Sequence, residues 1–289
     1  MDFDNFLSQA WNDHQTDAQA VAGRLWDGAG LIQQNDQIPA LVNLATHVFG
    51  EHLGRWKDGA AFLGKLRTLP TFVPATNAES AIARSIAVLE VGNGQDQTVL
   101  PFGTSDQIRI LAVAASALSG QGQSERAQQL FQKALEMAER PPLDKDDPAN
   151  RALAVTGNNL TCALEEKETR SANDTELMIT AAMAARKYWK IAKTWLETKR
   201  AEYRLAMSYL KAANLSEASQ HAQRCLEIAA ENKAAPLEFF FGNEALALVE
   251  RARGNSSGYS KATEQLRAAF EQLSDDDKSW CRDTLQRFA

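Results

Sequence analysis

Residues 106–142 read DQIRILAVAASALSGQGQSERAQQLFQKALEMAERPP, and this stretch decides the fold. From Asp106 onward, Ile108, Leu111, Ala115 and Leu118 recur at three- and four-residue intervals, so one face of a helix stays apolar. Ser119-Gly-Gln-Gly122 interrupts the pattern with turn residues. A second helix opens at Ser124, whose hydroxyl suits the free amides of a helix start, and places Ala127, Leu130, Phe131, Ala134, Leu135 and Ala138 on its inner face. Pro141 and Pro142 stop it, because proline lacks the amide that would continue the ladder. Two amphipathic helices joined by so short a turn bury their apolar faces against each other.

The same rhythm extends in both directions. Toward the C-terminus it predicts helix pairs over about 149–168 and 174–193, 196–213 and 215–232, and 237–252 and 260–273, the last two helices separated by Gly254-Asn-Ser-Ser-Gly258. A final helix, about 275–288, opens with Ser274 and three aspartates, Asp275, Asp276 and Asp277, which suit the positive end of a helix dipole better than a metal site. Toward the N-terminus the spacing predicts helices over about 3–12, 16–34, 37–53, 57–68 and 79–91. Gly92–Asp106, with three glycines and a proline, is the expected long connection. No alternating run is long enough for a strand, and the one short candidate, Val99–Phe102, contains a proline.

Composition agrees with this reading. The chain has 289 residues, 44% hydrophobic and 24% charged, with 31 basic against 37 acidic side chains and a formal net charge of −6. About one residue in six is alanine, the best helix former and small enough to let helices approach closely. Mean hydropathy is −0.37, and no run approaches the roughly 18–20 apolar residues a membrane span needs. Met-Asp-Phe-Asp-Asn-Phe has no basic flank, so no secretory signal is expected. Cys162, Cys225 and Cys281, 63 and 56 residues apart, fit neither a thiolate metal site nor a disulfide framework, and a cytoplasmic protein is expected.

Self-similarity along the chain is specific. Ala127-x-x-x-Phe131-x-x-Ala134, Ala218-x-x-x-Ala222-x-x-Cys225 and Ala262-x-x-x-Leu266-x-x-Ala269 each align a small residue, a packing residue and a small residue on one stripe. Gly157-Asn-Asn-Leu160 and Gly242-Asn-Glu-Ala245 start alike, and Ala115 and Ala206 occupy the equivalent small position. With Leu118 and Pro141 in the first copy and Leu205 and Tyr209 in a later one, the sequence resembles the tetratricopeptide repeat family. The likeness covers roughly 105–273, and more faintly 37–70, where Gly54-Arg-Trp-Lys-Asp-Gly59 followed by Leu63, Leu66 and Pro70 resembles a worn inter-helix turn. The small landmarks at 115, 157, 206 and 242 stand 42, 49 and 36 residues apart, against the family's uniform 34, so the extra residues are expected in loops and longer helices.

The resemblance implies an all-α right-handed superhelix of stacked antiparallel helix pairs. Its expected organisation is a helical N-terminal region over 1–95, repeats over 105–273 and a capping helix over 274–289. It also implies that the first helices of the pairs line a concave groove, through fixed positions around each small landmark. Those positions hold Arg109, Arg151 and Arg200 six residues before three landmarks, with Pro236 at the fourth. Ser116, Asn158, Met207 and Asn243 stand just after the landmarks, and Tyr203, Lys211 and Phe239 join them. An arginine column beside amide and hydroxyl groups would hold carboxylates and a peptide main chain, so an acidic or C-terminal segment of another protein is the expected ligand.

Catalytic signals are weak by comparison. His47 and His52 are five apart with Glu51 between them, which departs from the four-residue pairing that sets two imidazoles on one α-helical face. His14 and His221 sit among polar residues, and no phosphate loop or nucleophile elbow occurs, so neither metal nor cofactor is expected. The run Arg186–Arg204 carries seven basic and two acidic residues with Tyr188, Trp189, Trp195 and Tyr203 interleaved. Such a run can stack single-stranded nucleic acid, but Tyr188, Trp195 and Tyr203 fit helix-packing positions with the lysine heads in water, and residues 101–289 are near neutral overall, so nucleic acid is not the expected partner. A non-catalytic adaptor or scaffold is the leading reading. A regulatory sensor of a small peptide or metabolite comes second, and an enzyme with a site assembled from distant residues third.

Overall fold

The computed structural model describes residues 1–192 and 194–288. Lys193, expected at a helix end and within the basic aromatic run, lies outside the described residues. Among the described residues there is no strand, and the helices meet as successive antiparallel neighbours, an all-α arrangement of the solenoid kind. The chain divides within a helix into two compact units, Met1–Ala152 and Leu153–Ala289. Gly92–Asp106, the expected connection, lies inside the first unit and carries a short 3-10 turn at Asp96–Val99.

The first unit contains α1 (Phe3–Asp13), α2 (Ala18–Gly23), α3 (Leu25–Gly30), α4 (Ile38–Thr46), α5 (Trp56–Lys65), α6 (Asn77–Gly92), α7 (Thr104–Gly120) and α8 (Ser124–Glu139). The hairpin read from residues 106–142 is α7 packed on α8, with Leu111, Ala115, Leu118, Ala127, Phe131 and Ala134 all buried. The single helix expected over 16–34 is instead two short ones, parted at Arg24, whose φ of −105° and ψ of 7° leave the helical region. The two halves pack differently, α2 on α1 and on the segment that follows Thr46, α3 on α1 and α4.

The helix expected over 37–53 also changes character. It is α-helical to Thr46 and π-helical over His47–His52, where the Leu53 amide donates to the Val48 carbonyl five residues back at 3.1 Å. Gly50 lies on the inner side of this turn, where a Cβ would meet Leu89, Ala117 and Trp56 at 3.2–3.3 Å, a tight approach of α6 and α7 that a side chain would push apart by a few tenths of an ångström. The five-residue spacing of His47 and His52, unsuited to one face of an α-helix, is what a π turn aligns, and their Nε2 atoms lie 3.0 Å apart. The other two histidines also have partners. His14 is buried against Trp11 and His47, and His221 is bonded to Glu202 at 2.6 Å and stacked on Tyr209.

From α9 (Pro148–Glu166), which crosses the division, the second unit continues through α10 (Ala172–Ala192), α11 (Trp195–Lys211), α12 (Leu215–Glu231), α13 (Pro236–Ala252), α14 (Ser256–Glu271) and α15 (Asp275–Gln286). α11 packs on α10 and α12, and α13 on α12 and α14. The turn expected over 254–258 is shorter, because the Asn255 side chain accepts from the Gly258 amide at 3.1 Å and starts α14 at Ser256. Lys199 was expected to extend into water with the other lysines of its run. It is instead 1% exposed, for a reason that belongs to the groove described below.

The small landmarks act as spacing predicts. A Cβ on Gly157 would fall 2.7 Å from the Ala181 carbonyl oxygen and 3.1 Å from the Ala185 amide, both backbone atoms of α10. Gly157→Ala is therefore expected to destabilise the protein by about 1–3 kcal/mol despite alanine's better helix propensity, because α9 and α10 must part. Urea denaturation of the two proteins side by side checks the sign, since propensity alone would stabilise the variant.

Candidate functional site

In the second unit, four helices contribute side chains to one groove of about 380 Å³. α9 supplies Asn158; α11 supplies Lys199, Arg200, Tyr203 and Arg204; α13 supplies Leu237, Glu238 and Phe241; α15 supplies Trp280. The spacing within α11 (i, i+1, i+4, i+5) and within α13 (i, i+1, i+4) is that of one helical face seen twice.

Glu238 organises the floor. The Lys199 ammonium donates to the Glu238 main-chain carbonyl at 2.6 Å and to Oε2 at 2.9 Å, while Arg200 donates to Oε1 through Nε at 3.1 Å and Nη2 at 2.5 Å. Burial works against ionising this carboxyl, yet the bonds and charges of Arg200 and Lys199 prevail and hold it below the usual carboxylate range. Arg204 Nη1 donates to Glu165 at 2.6 Å, and Ser208 donates to the other oxygen of the same carboxylate at 2.6 Å. Tyr203 donates its hydroxyl to Glu244 at 3.0 Å, and burial together with that carboxylate drives the phenol far above its ordinary value. Glu244 itself is pushed upward by burial, despite the Tyr203 and Arg287 hydrogen bonds.

Two properties result. Three cations, Lys199, Arg200 and Arg204, line the groove, each bonded to a carboxylate: Lys199 and Arg200 to Glu238, Arg204 to Glu165; of the three, only Arg200 is well exposed, at 59%. Beside them runs an aromatic row: Tyr203 and Phe241 centroids are 6.0 Å apart, Phe241 and Trp280 5.2 Å, and Trp280 is 66% exposed at the rim.

Of the residues implied by the repeat likeness, Asn158, Arg200 and Tyr203 meet in this groove. Met207 packs with Tyr203 against Ala206, Ala222 and Ala245, and Phe239 packs against the core that contains Phe240 and Leu266. Asn243 is buried, its amide donating to the Phe239 carbonyl at 2.9 Å. Lys211 is exposed at the end of α11. In the first unit, Arg109 binds Asp106 on its own helix at 2.9 Å, Ser116 donates to Glu51 at 3.0 Å, and Arg151 is exposed. Trp280 and Glu238 were not among the expected residues. The partner spacing is regular: Arg200–Glu238, Arg204–Glu165 and Tyr203–Glu244 span 38, 39 and 41 residues, and each pair joins the first helices of successive hairpins.

Among known proteins, the tetratricopeptide repeat family model matches residues 108–141, the hairpin of α7 and α8. No curated protein matches the chain. Among solved structures, the crystal structure of BtubC (BKLC) from P. vanneervenii is similar at 15% identity over 95% of this chain and 94% of that one, with a TM-score of 0.47. No described helix is long and apolar enough to cross a membrane. The family match over α7 and α8, together with helix hairpins stacked in each unit, makes this chain a tetratricopeptide-like helical repeat protein.

Proposed function

We propose that the chain is a non-catalytic protein-interaction module whose groove over α9, α11, α13 and α15 holds a peptide segment of a partner, one with acidic side chains next to an aromatic or large apolar one. Repeats of this family generally mediate protein contacts, and that carries the general role. The observation that carries the specific ligand is the exposed Trp280 in one groove with the exposed guanidinium of Arg200. Trp280 and Phe241 offer apolar area of the kind that dominates interface energetics, while Arg200, 59% exposed, can exchange or share its carboxylate contact with an incoming Asp or Glu. Asn158 supplies an amide for main chain, its side chain making, among the described residues, a single 3.4 Å contact to Asn159.

The test is fluorescence anisotropy with labelled ten-residue peptides that combine two acids with one Trp or Phe, against peptides in which the acids are replaced by amides. The acidic aromatic peptides are expected to bind, and Trp280→Ala to weaken them by roughly 30-fold, the size of an interface hot spot. Arg200→Ala should weaken the acidic peptides and leave the amide set unchanged. Equal binding by wild type and Trp280→Ala would reject the groove as the site.

A further inference from the structure

We propose that His14, His47 and His52, in the first unit, form a three-imidazole site for a divalent transition-metal ion of the zinc class. Each ring offers one nitrogen, and the three nitrogens lie within 4.8 Å of one another. The rings form a nearly equilateral triangle, with centroids 4.9 Å apart for His14–His47, 4.9 Å for His14–His52 and 4.7 Å for His47–His52, and every pair edge-on. With Zn–N bonds of about 2.0–2.1 Å, imidazoles on one tetrahedral ion have centroids about 5 Å apart and ligand nitrogens about 3.3 Å apart. The 3.0 Å separation of the His47 and His52 Nε2 atoms is already near that value.

Two of the three other ring nitrogens are held as metal ligands require. His14 Nδ1 sits 2.6 Å from the Trp11 carbonyl, which fixes the proton on Nδ1 and leaves Nε2 as the donor atom. His47 Nδ1 lies 3.3 Å from Glu51 Oε2, and that carboxylate is fixed in turn by the Ser116 hydroxyl at 3.0 Å. A carboxylate behind an imidazole raises its basicity toward a metal and locks its orientation. His52 is exposed, so water can complete the coordination sphere from that side. Nitrogen donors select zinc, copper or nickel over magnesium and calcium. The site is assembled by the π turn, a form of helix that recurs at functional positions, since only that turn brings His47 and His52 to the same side.

The experiment titrates the metal-stripped full chain with Zn²⁺ against a chromophoric chelator. Wild type is expected to take up one ion per chain with micromolar or tighter affinity. His52→Gln changes an exposed ring and should weaken uptake at least tenfold, with unchanged far-ultraviolet circular dichroism; Glu51→Gln should weaken it by about 10–100-fold. Co²⁺ on the unaltered protein should give the intense visible absorption of a four-coordinate ion, a readout that needs no variant. Zn²⁺ affinity in wild type no greater than in the His14→Gln/His52→Gln double variant, or a Co²⁺ spectrum unchanged from the hydrated ion, would overturn the site.

Discussion

Glu238→Ala is expected to destabilise the second unit by about 3–5 kcal/mol, the usual consequence of removing one member of a buried ion pair. Lys199 makes the cost large. Its ammonium is 1% exposed and would keep the main-chain carbonyl of residue 238 and the Cys225 thiol as partners, neither of them a counter-charge. Arg200 loses the same carboxylate at little cost, because its head reaches water. The double variant Lys199→Met/Glu238→Gln removes the buried charge as well as its partner and should recover most of the loss. Acid adds a second reading. The folded-state pKa of Glu238 lies below that of the unfolded chain, so its contribution is complete above the ordinary carboxylate range of about 4.3 and is lost as pH falls through the folded value. Urea midpoints measured between pH 3 and 7 should therefore fall less steeply with acid in the double variant than in wild type. Equal stability of Glu238→Ala and wild type at neutral pH would mean that Lys199 finds water or another partner.

Phe131→Ala is expected to cost about 3–5 kcal/mol in the first unit. The ring has no exposed surface, and the residues on either side of it along the stripe, Ala127 and Ala134, are too small to fill the space it would leave. α7 lies against this face and also packs on α6 and the π turn, so it cannot collapse onto the cavity without disturbing both. Phe131→Leu keeps most of the volume and should cost less than about 1.5 kcal/mol. Thermal denaturation checks the order of the two variants. An alanine variant as stable as the leucine one would show that α7 and α8 relax into the gap.

The hairpin was legible because its determinants are local. Small residues at 115, 157, 206 and 242, a stripe of Ala127, Phe131 and Ala134, and turns built on glycine need no knowledge of distant residues. The groove was legible only in part. Repeat geometry placed Asn158, Arg200 and Tyr203 on it, since position within a helix pair fixes which way a side chain faces. What tied down Arg200 was a carboxylate 38 residues away, and the rim came from Trp280 on a terminal helix outside the repeat pattern. The burial of Lys199 could not be read from a run that looks solvated, because the partner that permits it lies on another hairpin. The π turn escaped because nothing in the local pattern marks it, so helical period alone misplaced His47 relative to His52.

Selection of a random peptide library displayed against the full chain, read by sequencing and repeated with Trp280→Ala, tests the interaction reading most directly. Enrichment of segments that pair Asp or Glu with an aromatic residue, lost in the Trp280→Ala selection, is the result expected of a peptide groove over α9, α11, α13 and α15. A library left unenriched, or enriched identically by both proteins, would contradict it.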